Sequence, residues 1–97
     1  MTDKGSDRLR LDLYLKRSGL VKRRPLAATL CDNGYVNLNG RPAGPGKAVK
    51  VGDRVEIRYA RKKVLVEVTE IPGKQVKKGE GYKIQNEEII EEDLFSG

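Results

Sequence analysis

The chain contains no histidine and no tryptophan, one cysteine, one phenylalanine and no long apolar run. Without histidine, a zinc site of the usual nitrogen and sulfur ligands is excluded, and so is a Ser-His or Cys-His nucleophile pair. Cys31 stands alone, so no internal disulfide can form. No stretch approaches the roughly 18 apolar residues a membrane-spanning helix requires. The polar start, Met1-Thr2-Asp3-Lys4-Gly5-Ser6-Asp7, has no apolar segment of the secretory kind. Cytoplasmic location is the expectation. No close pair of carboxylates stands out in the basic part of the chain to hold magnesium or act as acid and base. These absences point away from an enzyme and imply no cofactor and no metal.

What is abundant is charge. Of 97 residues, 20 are Lys or Arg and 14 are Asp or Glu, a net charge of +6. Residues 1–63 carry 16 cations against 6 anions, whereas residues 64–97 carry 4 against 8. A basic body with an acidic end implies a polyanionic partner. A membrane surface would call for a basic amphipathic helix with Trp or Phe anchors, and neither helix read below has one.

Periodicity sets the organisation. Residues 1–8 read as a flexible leader. From Arg10, Leu11, Tyr14 and Leu15 fall on one helical face, and Gly19 supplies a stop. A second helix starts at Pro25 with Leu26, Ala27, Leu30 and Cys31 as its buried stripe, ending at Asn33-Gly34. The two form an αα-hairpin. The period then becomes two. A strand over residues 35–38 points Val36 and Leu38 inward and leads into the turn Asn39-Gly40. Residues 43–50, punctuated by Gly and Pro, read as irregular. The next strand sets Val55, Ile57 and Tyr59 on one face and Arg54, Glu56 and Arg58 on the other. A turn at Arg61-Lys62-Lys63, a strand over residues 64–71, a linker over 72–81 and a short edge strand at Tyr82-Lys83-Ile84 follow. The fold class is α+β: an αα-hairpin packed on a small twisted antiparallel sheet. Residues 9–60 form the domain, 61–85 a β extension and linker, and 86–97 an acidic tail expected to be disordered.

Lys22-Arg23-Arg24 stands where the second helix begins. Cations there oppose the helix dipole at a cost of roughly 0.3–1 kcal/mol each at low salt. No Ser, Thr, Asp or Asn caps the start. A helix start with free N–H groups and three cations is, however, a receptor for phosphate. Arg10 and Arg17 lie seven apart, along nearly one face of the first helix, and the arginine fork suits phosphate and base stacking. Lys50 and Arg54 extend this footprint, with Lys47, Arg58 and the 61–63 run as further candidates. Asp12 is a candidate partner to hold one of the arginines. Tyr14 and Cys31 read as core, and Lys16 as solvated.

In order and spacing, Arg10-Leu11-Asp12-Leu13-Tyr14-Leu15, Lys22-Arg23-Arg24-Pro25-Leu26-Ala27, the segment Asn33-Gly34-Tyr35-Val36-Asn37-Leu38-Asn39-Gly40 and Val51-Gly52-Asp53-Arg54-Val55 resemble the S4 RNA-binding domain over about residues 9–60. The resemblance implies the same αα-hairpin and sheet, with RNA contacts from the arginines matched by Arg10 and Arg24. Many S4 domains have Ser-Arg and a polar residue where this chain has Arg23-Arg24-Pro25, so the matching arginine stays and the hydroxyl cap is lost. A stand-alone S4 domain with a short two-strand extension is similar to the small proteins of bacterial ribosome-associated quality control and to the related heat-shock ribosome-recycling proteins. That similarity implies binding to large-subunit rRNA and tRNA, on dissociated large subunits carrying peptidyl-tRNA. It also implies support of C-terminal tailing by an RqcH-type partner. A monomer is expected. The alternatives are a general RNA-binding or chaperone protein and an accessory subunit of an RNA-modifying enzyme.

Overall fold

The structure, a computed structural model, describes residues 8–59, 61–72 and 81–89. In chain order the elements are β1 (Arg8–Arg10), α1 (Leu11–Arg17), α2 (Arg24–Asp32), β2 (Val36–Leu38), β3 (Arg41–Pro42), β4 (Ala48–Lys50), β5 (Arg54–Tyr59), β6 (Lys62–Val68) and β7 (Tyr82–Ile89). Five strands form an antiparallel sheet in the order β3-β2-β5-β6-β7, and β1 pairs with β4 in a separate two-stranded ribbon. The expected α+β class holds.

The core lies between the helices and one sheet face. Leu11, Tyr14 and Leu15 of α1 meet Ala27, Leu30 and Cys31 of α2, over Val36, Leu38, Val55, Ile57, Val66 and Val68 of the sheet. Period two does this work: Val36 pairs with Ile57 and Leu38 with Val55, so one register buries four β-branched or leucine side chains together. Asn39 and Gly40 adopt φ of 54° and 87°, the left-handed pair that a two-residue hairpin needs.

Several sequence expectations change. Lys62 and Lys63, read as part of a turn, are the first residues of β6, paired with Tyr59 and Arg58. Residues 48–50 are a strand, because Val49 opposite Leu9 gives the core another apolar side chain, fully buried. Arg8 therefore belongs to β1 rather than to the leader; residues 1–7 lie outside the described residues. Arg10 is extended, with φ −60° and ψ 145°, and caps α1 instead of lying within it. Finally, β7 runs to Ile89, so residues 86–89 of the expected acidic tail form the sheet's edge, where Glu87 lies 3.3 Å from the ammonium of Lys62. Residues 73–80 of the expected linker and 90–97 of the tail lie outside the described residues.

Two contacts tie the extension to the helices. The buried phenol of Tyr14 donates to the carbonyl of Gly81 at 2.7 Å, and Thr69 N–H donates to the same oxygen at 3.1 Å. Burial pushes the Tyr14 phenol well above its ordinary pKa, so it remains a donor.

Candidate nucleic-acid interface

The start of α1 is closed by the chain itself. Leu11 N–H donates to the Lys47 carbonyl at 2.8 Å and Asp12 N–H to that of Pro45 at 3.1 Å. Leu13 N–H is taken by the Asp12 carboxylate at 2.7 Å. The start of α2 is different. Its cap is Arg23, no side chain accepts from it, and Pro25 in the first turn lacks an N–H.

Asp12 joins the two helix starts. Only 3% of it is exposed, yet its two oxygens receive three bonds from arginine. Arg10 forks onto it, Nε to Oδ1 at 3.1 Å and Nη2 to Oδ2 at 3.3 Å, and Arg24 Nε reaches Oδ2 at 3.3 Å. Burial alone would raise the Asp12 pKa. The bonds from Arg10, Arg24 and Leu13 N–H outweigh it and hold the carboxyl below the usual range. A depressed pKa contributes stability that is present above the unfolded value of about 3.9 and is lost as the pH falls through the folded value.

Both guanidiniums stay about half exposed. Since Arg10 Nη2 and Arg24 Nε each lie 3.3 Å from the same oxygen, they are at most 6.6 Å apart, twice that distance. Two like charges so placed repel by roughly 0.6 to 2.5 kcal/mol between the dielectric of water and that of a protein surface. The shared carboxylate holds them together against this. The pairing partner expected for one arginine serves two.

The remaining candidates divide. Lys22 and Arg23 are exposed beside Arg24, and no carboxylate among the described residues pairs with either. Lys50 is the register partner of Arg8 on β4, and alternation sets both on the ribbon face that carries Arg10. Arg17 departs from expectation: with Arg10 outside the helix, helical spacing no longer aligns them, and Arg17 is half-buried in the last turn. Arg54 departs too. It points to the sheet face opposite Val55 and Ile57, with Glu67 as its register partner, and so lies away from the helix starts.

Sequence reasoning missed two structural hubs. Asp53, buried within the Val51-Gly52-Asp53 segment, accepts from Asn39 Nδ2 at 3.1 Å and Lys50 N–H at 3.0 Å, tying the β2–β3 turn to β4. Gly81 is the other, and nothing in a Lys- and Gly-rich stretch marked it. Cys31 is core: burial first, then the Asp12 and Asp32 carboxylates, push its thiol up to about 11. Among the described residues, no group of three or more potential ligands could hold a metal, and no helix is long and apolar enough to cross a membrane.

An αα-hairpin that presents cations above a small antiparallel sheet is the arrangement of an S4 domain, and the family model of that domain matches residues 9–55. The chain is 42% identical over 85 residues to the RQC P-site tRNA stabilizing factor of Halalkalibacterium halodurans, covering 84% of this chain and 96% of that one. It is 38% identical over 86 residues to the protein of the same name from Bacillus subtilis, covering 87% and 100%. The fold matches Vibrio cholerae Heat Shock Protein 15, solved as a trimer, with a TM-score of 0.72, 26% identity and coverage of 79% and 81%. The chain belongs to the S4-domain family of RQC P-site tRNA stabilizing factors, the RqcP group.

Proposed function

We propose that this protein binds large-subunit rRNA and tRNA on dissociated large ribosomal subunits that carry peptidyl-tRNA, and so supports C-terminal tailing of the stalled chain by an RqcH-type factor. The observation that carries this reading is the group of four exposed cations, Arg10, Lys22, Arg23 and Arg24, gathered at two helix starts with one carboxylate among them. Such a surface neutralises phosphates without reading base sequence, which suits a bridge between two RNA backbones. The relatives' name supports tRNA at the P site as one of the two. The protein works by binding, in the cytoplasm, as a monomer, and catalyses no reaction. Lys50, on the ribbon face that carries Arg10, contributes an outlying contact, with Arg17 at its margin; Arg54, on the far sheet face, is left out of the surface.

The test is co-sedimentation of the full chain with purified large subunits holding peptidyl-tRNA. Arg10→Ala and Arg24→Ala are each expected to weaken binding about tenfold, roughly the 1.4 kcal/mol of one charge-assisted contact. Both variants sedimenting like the parent would overturn the site. Equal affinity for mature translating ribosomes would turn the reading toward a general RNA-binding protein, and turnover of RNA by the purified chain toward an enzyme subunit.

A further inference from the structure

Asp12 is a negative charge set in the middle of a surface that is to meet phosphate. Bulk electrostatics makes it a liability there, since removing it would raise the local charge by one and favour a polyanion. Its geometry says otherwise. The carboxylate is buried and fixed by Leu13 N–H at 2.7 Å, so it cannot swing away. Arginine is bound through Nε and one Nη on one side and through Nε on the other, which leaves the other Nη edges of Arg10 and Arg24 for a ligand. Asp12 thus holds both guanidiniums on one side while each stays about half exposed.

We propose that Asp12 is a positioning residue for RNA binding: it holds Arg10 and Arg24 as one preformed fork that grips a single phosphate or two adjacent phosphates of one strand. This rests on the function proposed above and adds how the site reaches its affinity. Each long side chain otherwise loses rotamer freedom when it binds; here that loss is met on folding. Mutual repulsion would splay the two arginines without the shared carboxylate.

The sign of one substitution decides it. Asp12→Asn keeps the shape and removes the charge. Charge alone predicts tighter binding to the large subunit; positioning predicts binding weakened about tenfold, with the slope of log affinity against log salt shallower by about one to two, because contacts are lost. Far-UV circular dichroism and the Tm report whether the variant folds. Arg10→Lys serves even if it does not, because Arg10 is exposed and its charge is kept while its two-point attachment is lost. It is expected to weaken binding about fivefold, and to cost little more once Asp12 is already Asn. Unchanged or tighter binding in Asp12→Asn, or unchanged binding in Arg10→Lys, overturns the proposal. If Arg10→Ala and Arg24→Ala also leave binding unchanged, the RNA site itself falls. If those two weaken binding while Asp12→Asn tightens it, only the positioning role does.

Discussion

The chain holds two runs of three consecutive cations. Lys22-Arg23-Arg24 opens α2, and Arg61-Lys62-Lys63 turns the chain into β6. The second run is answered by carboxylates from neighbouring strands. Lys62 lies 3.3 Å from Glu87 on β7, and Lys63 lies 3.5 Å from Glu56 on β5, which also accepts from Asn37 at 2.9 Å. The first run is answered once, by Asp12, and that carboxylate is already shared with Arg10. Similar composition therefore yields a locally neutralised strand in one place, with Lys62 and Lys63 paired on opposite sheet faces, and an unbalanced cationic surface in the other. A strand in the middle of a sheet brings register partners on both sides, whereas a helix start brings none. Function follows what surrounds the charges, not how many are written in a row.

The largest effect expected from this difference is in binding. Reversing Lys22 and Arg23 to Glu together should lower affinity for large subunits at least about 100-fold near physiological salt, with a much reduced salt slope. Reversing Lys62 and Lys63 to Glu should change it by less than about threefold. Sedimentation of the two double variants reads this directly. Equal losses would mean that the start of β6 also meets RNA, and the contrast between the runs would be lost.

A second test separates the stability of the sheet extension from the cationic surface. Gly81 has φ +91°, and a Cβ there would lie 3.1 Å from the Glu70 carbonyl oxygen and 3.2 Å from Pro72 Cδ. Gly81→Ala thus combines backbone strain with contacts that the main chain cannot easily relieve. A loss of about 2–3 kcal/mol is expected. The Tm should fall by roughly 10 °C or more in a domain of this size. At temperatures where the variant is folded, the salt slope of binding should match the parent's. A changed slope would show that the extension also shapes the RNA surface.

Much of this was legible in sequence, for reasons that differ by element. The helical face of Leu11, Tyr14 and Leu15 and the alternation of Val55 and Ile57 follow from local periods of 3.6 and 2, and both stand. Asn39-Gly40 specifies its turn because few residue pairs tolerate two positive φ values. What could not be read depended on distant partners. Val49 makes a strand only because Leu9, 40 positions earlier, lies opposite it. The β7 strand outruns its three-residue signal because it pairs along all of β6, from Lys62 opposite Ile89 to Val68 opposite Tyr82. The same limit applies to the site. Arg10 and Arg24 were visible as arginines, but their closeness depends on a carboxylate bridging two helices, and a residue spacing cannot express that.

The smallest expected effect concerns the ion pair that quiets the second run. Glu87→Gln removes the partner of Lys62, with the two side chains 41% and 53% exposed respectively. Pairs this open are worth little, so stability should change by no more than about 0.5 kcal/mol, near the resolution of a thermal melt. The informative readout is binding. Freeing Lys62 adds a positive charge to a face that also carries the half-buried side chains of Tyr59, Val64 and Tyr82 beside Lys22. If only fixed guanidiniums at the helix starts grip phosphate, affinity for the large subunit should rise less than about twofold, the share of general attraction that one screened charge supplies. A tenfold rise would mean that Glu87 masks a second binding surface continuous with Lys22, and the two runs would then differ only in whether a carboxylate happens to cover them.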